Sequence, residues 1–495
     1  MSAVATLDDL TSTSHSSRIV IIGGGITGLS TAFYLERMAK TQGVAVTCTL
    51  IERSDRLGGK ILTEKIDQHG GFLIEGGPDS FVAQKPWGVE LVHDLGLSDQ
   101  LMMPNREQQK VYVLLKGKLC AMPDGLQLIV PTKILPFALS PMISPLGKLR
   151  MAMDLFIPPK RDGADETLAE FMRRRLGNEA LDRIGEPLLS GIHSSAAERQ
   201  SLLATFPRFR TMEEKYGSLT RGMLAMRRQR KQSQGKPQAA TSPFVSLRGG
   251  IEELVQALKT QVQCDVLTGC GVTALVHTPD NAEAAYHITL DNRETLQADA
   301  VVVTTPSYIT ADLVEKFQPA LAEGLRRIRY VSTATVSLAY RHSDVGEPLK
   351  GFGLVIPRTE RRRINACTMT SRKFAHRAPD DHALVRVFVG GSRTPEMMQR
   401  DDAEMLNIVR EELRSMLKID ADPIFSRIYR WPDAQPQYDV GHLDHMTQLA
   451  ALCPAGFYLS GSAYHGVGIP DCVKQGKDAA AQAIAHIQER FPVSI

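Results

Sequence analysis

The sequence predicts an α/β fold that begins with a Rossmann-like dinucleotide-binding unit. Three observations support this prediction. Residues 18–22 are apolar and β-branched and lead into a glycine cluster, a helical pattern through Leu29 and Phe33 follows, and a second apolar run at 44–51 ends in Glu52. Strand, tight turn, helix and strand in this order and length form a βαβ unit. We therefore expect the parallel sheet to start at residue 18.

The glycine cluster has the spacing G-x-G-x-x-G, formed by Gly23, Gly25 and Gly28. At the end of a strand and the start of a helix, the missing side chains let backbone N–H groups approach a pyrophosphate. Glu52 stands at the tip of the second strand, where a carboxylate accepts hydrogen bonds from the ribose hydroxyls of an adenosine and would repel the 2′-phosphate of NADP. NAD and FAD both fit this unit.

Further glycine loops favour FAD over NAD. The loop with Gly58, Gly59 and Lys60 follows the second strand directly, a third tight approach lies at residues 75–80, and a fourth, residues 461–471, precedes a long helix. Pro470 suits the first turn of that helix, so its N-terminal N–H groups would face the pyrimidine edge of a flavin and favour the anionic reduced ring. The alternative is that these glycines only shape loops.

The remaining chain predicts a helical middle third and a second, mixed or antiparallel sheet. A segment at 123–159 is punctuated by proline, residues 227–242 are polar and predict a mobile loop, and strand-like runs recur at 334–340, 353–356 and 384–389. We divide the chain into a disordered tail (1–17), a cofactor-binding domain in three segments (18–85, 243–310 and 451–495), a substrate and helical part (86–226), the loop (227–242) and a substrate-domain sheet (311–450).

Composition excludes several classes of protein. The 58 basic and 55 acidic residues give a net charge of +3, too low for a typical nucleic-acid binder. Seven cysteines without a CxxC pair indicate neither a disulfide framework nor a zinc site, and no histidine pair suggests a metal. The first seventeen residues lack the pattern of a signal peptide, and no run approaches the roughly 20 apolar residues of a membrane span. A cytoplasmic protein is expected.

Five motifs together resemble the flavin-dependent porphyrinogen oxidases. They are the fingerprint at 23–28, Arg56-Leu-Gly-Gly-Lys60, residues 72–81, residues 431–438 with Gly441 and His442, and residues 466–473. Residues 191–193 and 364–368 are similar to the Gram-positive coproporphyrinogen III oxidase branch of the protoporphyrinogen oxidase family. The resemblance implies an FAD-binding domain of the p-hydroxybenzoate-hydroxylase/amine-oxidase type, a mixed-sheet substrate domain, and a helical domain that touches lipid in membrane-bound relatives.

The resemblance also implies which residues contact FAD. They are Gly23, Gly25, Gly28, Glu52, Arg53, Gly59, Lys60, Pro78, Ser80, Val272, Trp431, Val467 and Ile469.

The reaction implied by the resemblance is the six-electron oxidation of coproporphyrinogen III to coproporphyrin III in haem biosynthesis. Three hydride-like transfers to flavin N5 would be followed by reoxidation with dioxygen, which releases hydrogen peroxide. Because aromatisation drives the reaction, no strong catalytic base is needed, and no side chain is predicted as one. Catalysis would depend on positioning and electrostatics.

Four propionates on this substrate require cations at the rim of the pocket. Lys85 is the first candidate, with a solvated surface lysine as the alternative. The clusters 361–363 and Arg372, Lys373 and Arg377 are second candidates, although charge runs usually face solvent. His193, where relatives often have Tyr, and His465 are weighed as bases but are more typical of structural hydrogen bonding.

Other interpretations stay open at this stage. The same fold could oxidise protoporphyrinogen IX or, more remotely, act as an amine oxidase or carotenoid desaturase, and a non-catalytic flavin or porphyrin carrier is a different class. The 123–159 segment could contact a membrane surface peripherally, but the wall of a substrate tunnel is preferred. Transfer of the product to a downstream haem-pathway enzyme is a further partner hypothesis.

Overall fold

The computed structural model describes residues 16–105, 107, 110–123, 126–127, 129–131, 134–233, 244–278, 284–347 and 349–491. The strands within these residues are β1 (Ser17–Ile22), β2 (Val46–Glu52), β3 (Thr63–Ile66), β4 (Phe72–Glu75), β5 (Phe81–Val82), β6 (Leu101–Met102), β7 (Val111–Leu115), β8 (Lys118–Ala121), β9 (Leu126–Gln127), β10 (Val130–Pro131), β11 (Phe244–Leu247), β12 (Asp265–Thr268), β13 (Val272–His277), β14 (Tyr286–Leu290), β15 (Thr295–Ala298), β16 (Ala300–Val303), β17 (Tyr330–Arg341), β18 (Gly353–Val355), β19 (Ala366–Met369), β20 (His382–Gly390), β21 (Phe425–Pro436) and β22 (Phe457–Leu459).

The α-helices alternate with these strands at the two ends of the chain and dominate its middle. They are α1 (Ile26–Gln42), α2 (Pro86–Asp94), α3 (Ile134–Leu139), α4 (Pro145–Ala152), α5 (Leu168–Arg175), α6 (Asn178–Ala180), α7 (Gly191–His193), α8 (Leu202–Thr205), α9 (Pro207–Tyr216), α10 (Leu219–Ser233), α11 (Glu253–Gln261), α12 (Ser307–Val314), α13 (Pro319–Arg326), α14 (His342–Val345), α15 (Thr370–Lys373), α16 (Asp402–Leu417), α17 (His442–Leu452) and α18 (Ile469–Arg490). A π-helix, Leu181–Ser190, joins α6 to α7.

A five-stranded parallel sheet has the order β12-β2-β1-β16-β22. In its central pair Ile19 lies opposite Ala300 and Ile22 opposite Val303. One face packs against α1, α11 and α18, and the other against α12 and α13. Burial on both faces explains why the central strands β1 and β16 are continuous apolar runs in the sequence. The α/β prediction is confirmed.

The second sheet has seven strands in the order β21-β17-β20-β19-β18-β7-β8. Its pairs are antiparallel except for β18 with β7, which are parallel, so the sheet is mixed as predicted. The strand-like runs recognised in the sequence lie within β17, β18 and β20. Helix α16 contributes to the core on one side of this sheet.

The helical middle of the chain contains a buried ion network within its own apolar core. The Arg175 side chain is fully buried and donates to Asp154 Oδ1 at 2.7 Å and to Glu213 Oε1 at 3.5 Å. Arg210, also buried, joins Glu166 to Glu213 at 2.7 and 3.2 Å. Each buried charge therefore has an opposite partner, which offsets its desolvation.

Two boundaries differ from those expected. Strand β1 begins at Ser17, one residue inside the predicted tail, and residues 1–15 lie outside the described part of the chain. The loop prediction for 227–242 is wrong for 227–233, because α10 continues to Ser233. Arginine, glutamine and lysine are good helix formers, and the first glycine within residues 227–242 is Gly235. Residues 234–243 lie outside the described residues.

Among the described helices, none combines the length and the apolar character needed to cross a bilayer.

Candidate flavin site

The first glycine turn connects β1 to α1 in a conformation that requires glycine. Gly23 has φ +110°, and a Cβ on Gly28 would lie 1.9 Å from the Gly23 carbonyl oxygen. In contrast, a Cβ on Gly25 would meet no atom within 4 Å. Gly25 is the N-cap of α1 and supplies no side-chain cap. The positive end of the helix therefore faces open space, which suits a pyrophosphate.

Glu52 is held at the tip of β2 by its own turn. Its Oε2 accepts from Gly24 N at 2.7 Å, and its Oε1 accepts from Ser54 N and Ser54 Oγ at 2.9 and 2.8 Å. A carboxylate has about four acceptor positions. One is therefore left for a ribose hydroxyl, and a second is freed when Ser54 Oγ turns to its other acceptor, the Arg56 carbonyl at 2.7 Å.

Arg53 and Val272 lie near this same end of the site. The backbone N–H of Cys270 donates to the Glu52 carbonyl at 3.1 Å, and a Cβ on Gly271 would lie 3.5 Å from Arg53 Cγ. Val272 then begins β13. Glu52, Arg53 and Val272, which are three of the predicted FAD contacts, thus lie at one end of the site, although they come from two distant segments.

The second glycine loop packs directly on the first. Gly58 N donates to the Gly24 carbonyl at 2.8 Å, and a Cβ on Gly59 would lie 3.2 Å from Gly25 Cα. Both glycines have positive φ, +103° and +56°. A larger residue at either position would be strained, so this motif needs its glycines for the close approach of two backbones.

Lys60 connects this loop to the C-terminal part of the chain. Its Nζ donates to the Ala434 carbonyl at 2.6 Å and to Ser462 Oγ at 3.2 Å. Part of the Lys60 residue is accessible to solvent, yet desolvation by the surrounding protein lowers the pKa of its ammonium group. These two facts agree if the exposed part of Lys60 faces a recess inside the protein instead of bulk solvent.

The third loop contributes a carboxylate that the sequence did not single out. Asp79 accepts from Lys373 Nζ at 2.8 and 2.9 Å and from Ser80 Oγ at 2.7 Å. Burial alone would raise the pKa of Asp79, but Lys373 and Arg386 hold it well below its usual range. Pro78 lies between this carboxylate and Gly77, whose carbonyl accepts from Arg386. Lys373 and Arg386, the two cations around the ionised Asp79, therefore stabilise the third loop.

The C-terminal loops complete the site. Trp431 Nε1 donates to the Gly76 carbonyl at 2.9 Å, which ties β21 to the third loop. Tyr438 stacks on His442 with ring centroids 4.0 Å apart, and its hydroxyl donates to the Ser462 carbonyl at 2.7 Å. The same hydroxyl accepts from Gly466 N at 2.8 Å. Val467 and Ile469 follow at the start of α18.

Lys85 is paired with Asp471 in the first turn of α18. Its Nζ lies 2.6 Å from both carboxylate oxygens, and its side chain is 48% exposed. The charge of Lys85 and, to a greater extent, burial lower the pKa of His193 to about 4. The His193 ring stands edge-on to Phe206 at 5.7 Å. Lys85 and His193 are thus neighbours near the start of α18, and His193 is neutral at physiological pH.

The other basic candidates have partners of their own. Arg362 and Arg363 pair with Glu412 on α16, and Arg363 also pairs with Glu411. Arg372 lies 3.3 Å from Glu347. These ion pairs occupy the three guanidinium groups, and two of the side chains involved are nearly buried: Arg372 is 12% and Glu412 is 4% exposed.

Arg377 is a structural residue, and the prediction that it contributes to a propionate site is wrong. Its side chain is fully buried and donates to the carbonyls of Leu247 and Arg248 at 2.9 Å and to Ser246 Oγ at 3.0 Å. Because the side chain is fully buried, a substrate carboxylate at the rim of a pocket does not reach it. Sequence separation hid this role, since the acceptors lie about 130 residues earlier in the chain.

The predicted FAD residues from both ends of the chain therefore lie in or next to glycine-rich loops that contact one another. The open space at Gly25 fits a pyrophosphate. The parallel sheet, the glycine turns and the carboxylate of Glu52 at the tip of β2 are typical of a dinucleotide-binding flavoprotein. Residues 26–484 match the family of flavin-containing amine oxidoreductases. The chain belongs to this family and is an oxidoreductase with FAD as its cofactor.

Relatives agree with this assignment. The chain is 39% identical to the coproporphyrinogen III oxidase of Bacillus subtilis (strain 168), with 95% of this chain and 98% of the relative covered. It is 35% identical to the coproporphyrinogen III oxidase of Staphylococcus aureus (strain NCTC 8325 / PS 47), covering 95% and 99%. A crystal structure from Exiguobacterium sp. 255-15, provisionally assigned as a protoporphyrinogen oxidase, superposes with a TM-score of 0.82 at 32% identity, covering 95% and 99%. The resemblance to porphyrinogen oxidases is confirmed.

Proposed function

We propose that this protein oxidises coproporphyrinogen III to coproporphyrin III in haem biosynthesis. The main support is the similarity to coproporphyrinogen III oxidases over 95% of the chain. The glycine turns of the sequence motifs are also present in the structure. Bound FAD would supply the two-electron acceptor for this oxidation. The macrocycle loses six electrons in three such cycles.

The chain's own residues would bind and orient the cofactor. In this proposal Gly23, Gly25 and Gly28 leave room for the pyrophosphate, and Glu52 accepts from the ribose. Arg53 and Val272 would contact the adenosine end, and the remaining contacts would come from residues of the later loops: Gly59, Lys60, Pro78, Ser80, Trp431, Val467 and Ile469. The uncapped start of α18 and the nearby Lys60 favour negative charge on the reduced ring.

Lys85 is proposed as a binding residue for a substrate carboxylate. It is half-exposed, it lies beside neutral His193, and its ion-pair partner among the described residues is Asp471. A propionate could share or replace Asp471 at the ammonium group. His193 is proposed as a polar wall residue and not as the base, because a pKa near 4 makes it a weak proton acceptor.

Dioxygen is the proposed final acceptor. Two electrons and two protons convert each dioxygen to hydrogen peroxide, so three dioxygen molecules would be consumed for each macrocycle. No catalytic base is assigned among the described residues, since aromatisation drives the overall reaction.

Peripheral contact of a cytoplasmic protein with a membrane surface is a further part of the proposal. Leu139, Leu146 and Phe156 are 77%, 80% and 83% exposed, and Leu135 and Leu149 lie on the same segment with similar exposure. Large apolar side chains this exposed favour an interfacial partner. These exposures favour membrane contact over the tunnel wall at Leu135, whereas Ile129 and Phe137 are buried. Product transfer to a downstream haem-pathway enzyme remains a proposal.

The predicted domain division is also retained as a proposal. The parallel sheet takes strands from 18–85, 243–310 and 451–495, which supports a cofactor domain in three segments. The mixed sheet lies mainly in 311–450, with β7 and β8 added from the segment 86–226.

Two measurements test this function. Anaerobic mixing with coproporphyrinogen III should bleach the absorbance of oxidised flavin, whereas a carrier would leave it unchanged. Aerobic turnover of coproporphyrinogen III and protoporphyrinogen IX, with peroxide detection, then separates the two oxidases. The second substrate is the alternative because of the Exiguobacterium assignment. Faster oxidation of protoporphyrinogen IX would overturn the proposal.

A further inference from the structure

Two cysteines that are 216 positions apart lie side by side in the parallel sheet. Strand β12 pairs with β2 so that Asp265 lies opposite Thr49 and Val266 opposite Leu50. Cys264, which directly precedes β12, is therefore placed beside Cys48. All seven cysteines are free thiols.

The two thiols share one face of the sheet. Cys48 is buried within the apolar core under α1 and α18, and the partly exposed Cys264 packs against the same core. An oxidant from solvent can therefore reach Cys264 first, with Cys48 behind it. The neighbouring Cys264 thiol, which can accept from the Cys48 S–H, and burial raise the pKa of Cys48 well above its ordinary value, so Cys48 stays a neutral thiol in the resting protein.

The backbone geometry permits a covalent bond between them. Neighbouring strands of a sheet are about 4.8 Å apart. Disulfides span Cα separations of about 4.4–6.8 Å, so strands in this register need little movement to be joined.

We propose that Cys48 and Cys264 form a reversible dithiol–disulfide pair that hydrogen peroxide oxidises. Cys264 attacks the peroxide, its sulfur is oxidised to a sulfenic acid, and one water leaves. The Cys48 sulfur then displaces the hydroxyl of the sulfenic acid as a second water, and the S–S bond forms. One peroxide is reduced to two waters and two thiols lose two electrons and two protons. The inference rests on the proposed function only for the source of the peroxide.

The disulfide would join the edge strand of the sheet to the strand that ends in Glu52. After β12 the chain returns to that carboxylate, because Gly269 N donates to the Ser54 carbonyl at 2.7 Å and Cys270 N to the Glu52 carbonyl at 3.1 Å. The bond therefore restrains the adenosine end of the FAD site. It also closes a long loop of the unfolded chain, so the apparent Tm should rise by about 3 °C.

The test treats the purified holoenzyme with hydrogen peroxide in the absence of substrate, blocks remaining thiols with a maleimide and maps the peptides. The expected product has two fewer free thiols and a peptide pair joined through Cys48 and Cys264, which dithiothreitol separates. Cys264→Ser should lose both the cross-link and the rise in Tm, and Cys48→Ala should lose the cross-link while Cys264 oxidises alone. Cys120→Ser, at a half-exposed thiol elsewhere, should keep the cross-link.

Unmodified thiols after peroxide treatment, or a sulfinic acid on Cys264 of the unaltered chain without a cross-link, would overturn the proposal. A second arm uses coproporphyrinogen III turnover with and without catalase. A cross-link that forms with added peroxide but not during turnover would retain the dithiol pair and reject the enzyme's product as the oxidant. A cross-link during turnover that catalase prevents supports both.

Discussion

Lys373 donates to both carboxylate oxygens of Asp79, at 2.8 and 2.9 Å, from a position 294 residues later in the chain. Both side chains are nearly buried, at 13% and 12% exposure. The pair joins α15 to the loop that carries Pro78 and Ser80, so the mixed sheet region and the proposed flavin site are linked by one charge contact.

Replacing Lys373 by Met should strongly destabilise the protein and weaken FAD retention. The change leaves the buried Asp79 with only Arg386 as a nearby cation, and removing one partner of a buried pair typically costs about 3–5 kcal/mol. Urea unfolding at neutral pH and the FAD dissociation constant measure the two effects. Lys259→Met, at an exposed helix position, is the control and should change neither. Equal stability of the two variants would contradict a stabilising role for the pair.

The contribution of Asp79 to stability should disappear in acid. Because its folded pKa is held well below the usual range, the stabilisation is fully present above the unfolded value of about 3.9 and is lost as the pH falls below it. The difference in unfolding free energy between the unaltered chain and Asp79→Asn should therefore shrink between pH 5 and pH 2. Chemical unfolding across that range measures it, and a constant difference would reject the charge argument.

Gly25→Ala should weaken FAD binding without unfolding the apoprotein. Gly25 has φ −72° and a Cβ there meets no protein atom, so alanine is tolerated by the chain but occupies the proposed pyrophosphate space. FAD affinity should fall at least tenfold, about 1.4 kcal/mol, while the apoprotein Tm stays the same. Gly191→Ala is the matched control, since its Cβ also meets no atom and it lies in a helix. Unchanged FAD affinity in Gly25→Ala would place the pyrophosphate elsewhere.

Lys85→Met should raise KM for coproporphyrinogen III more than it lowers kcat. Loss of one carboxylate contact made equally in the ground and transition states affects KM alone, by about tenfold. Because Lys85 also pairs with Asp471, Asp471→Asn serves as the comparison: it breaks the same pair but keeps the ammonium group. Matching losses of FAD and kcat in both variants, with unchanged KM, would show that Lys85 only stabilises the start of α18.

His193 should remain neutral throughout the working pH range. Burial and the charge of Lys85 lower its pKa to about 4, so the pH dependence of kcat/KM should contain no step near 6.5 from this residue. The profile of His193→Gln should therefore run parallel to that of the unaltered chain between pH 5.5 and 8. A step near 6.5 that the substitution abolishes would contradict this assignment.

Local patterns in the sequence were sufficient for the first βαβ unit and for the glycine turns. The apolar strand patterns, the G-x-G-x-x-G spacing and Glu52 all lie within about 35 residues. Over so short a stretch, local backbone geometry alone determines how these positions are arranged. The resemblance to a known family extended the prediction of the site to Trp431 and the start of α18. The 227–233 prediction failed because a polar composition is compatible with both loop and surface helix.

Contacts between distant segments were decided only by the tertiary structure. The sequence contains Lys373, Asp79, Arg377, Cys48 and Cys264, but it does not show that the first two form an ion pair, that the third is buried, or that strand register places the last two side by side. Such contacts depend on strand order and register across hundreds of residues. The sequence also does not distinguish a charged or thiol side chain in solvent from one in an ion pair or in the core. Burial and partner, which set its chemistry, arise only when the chain is folded.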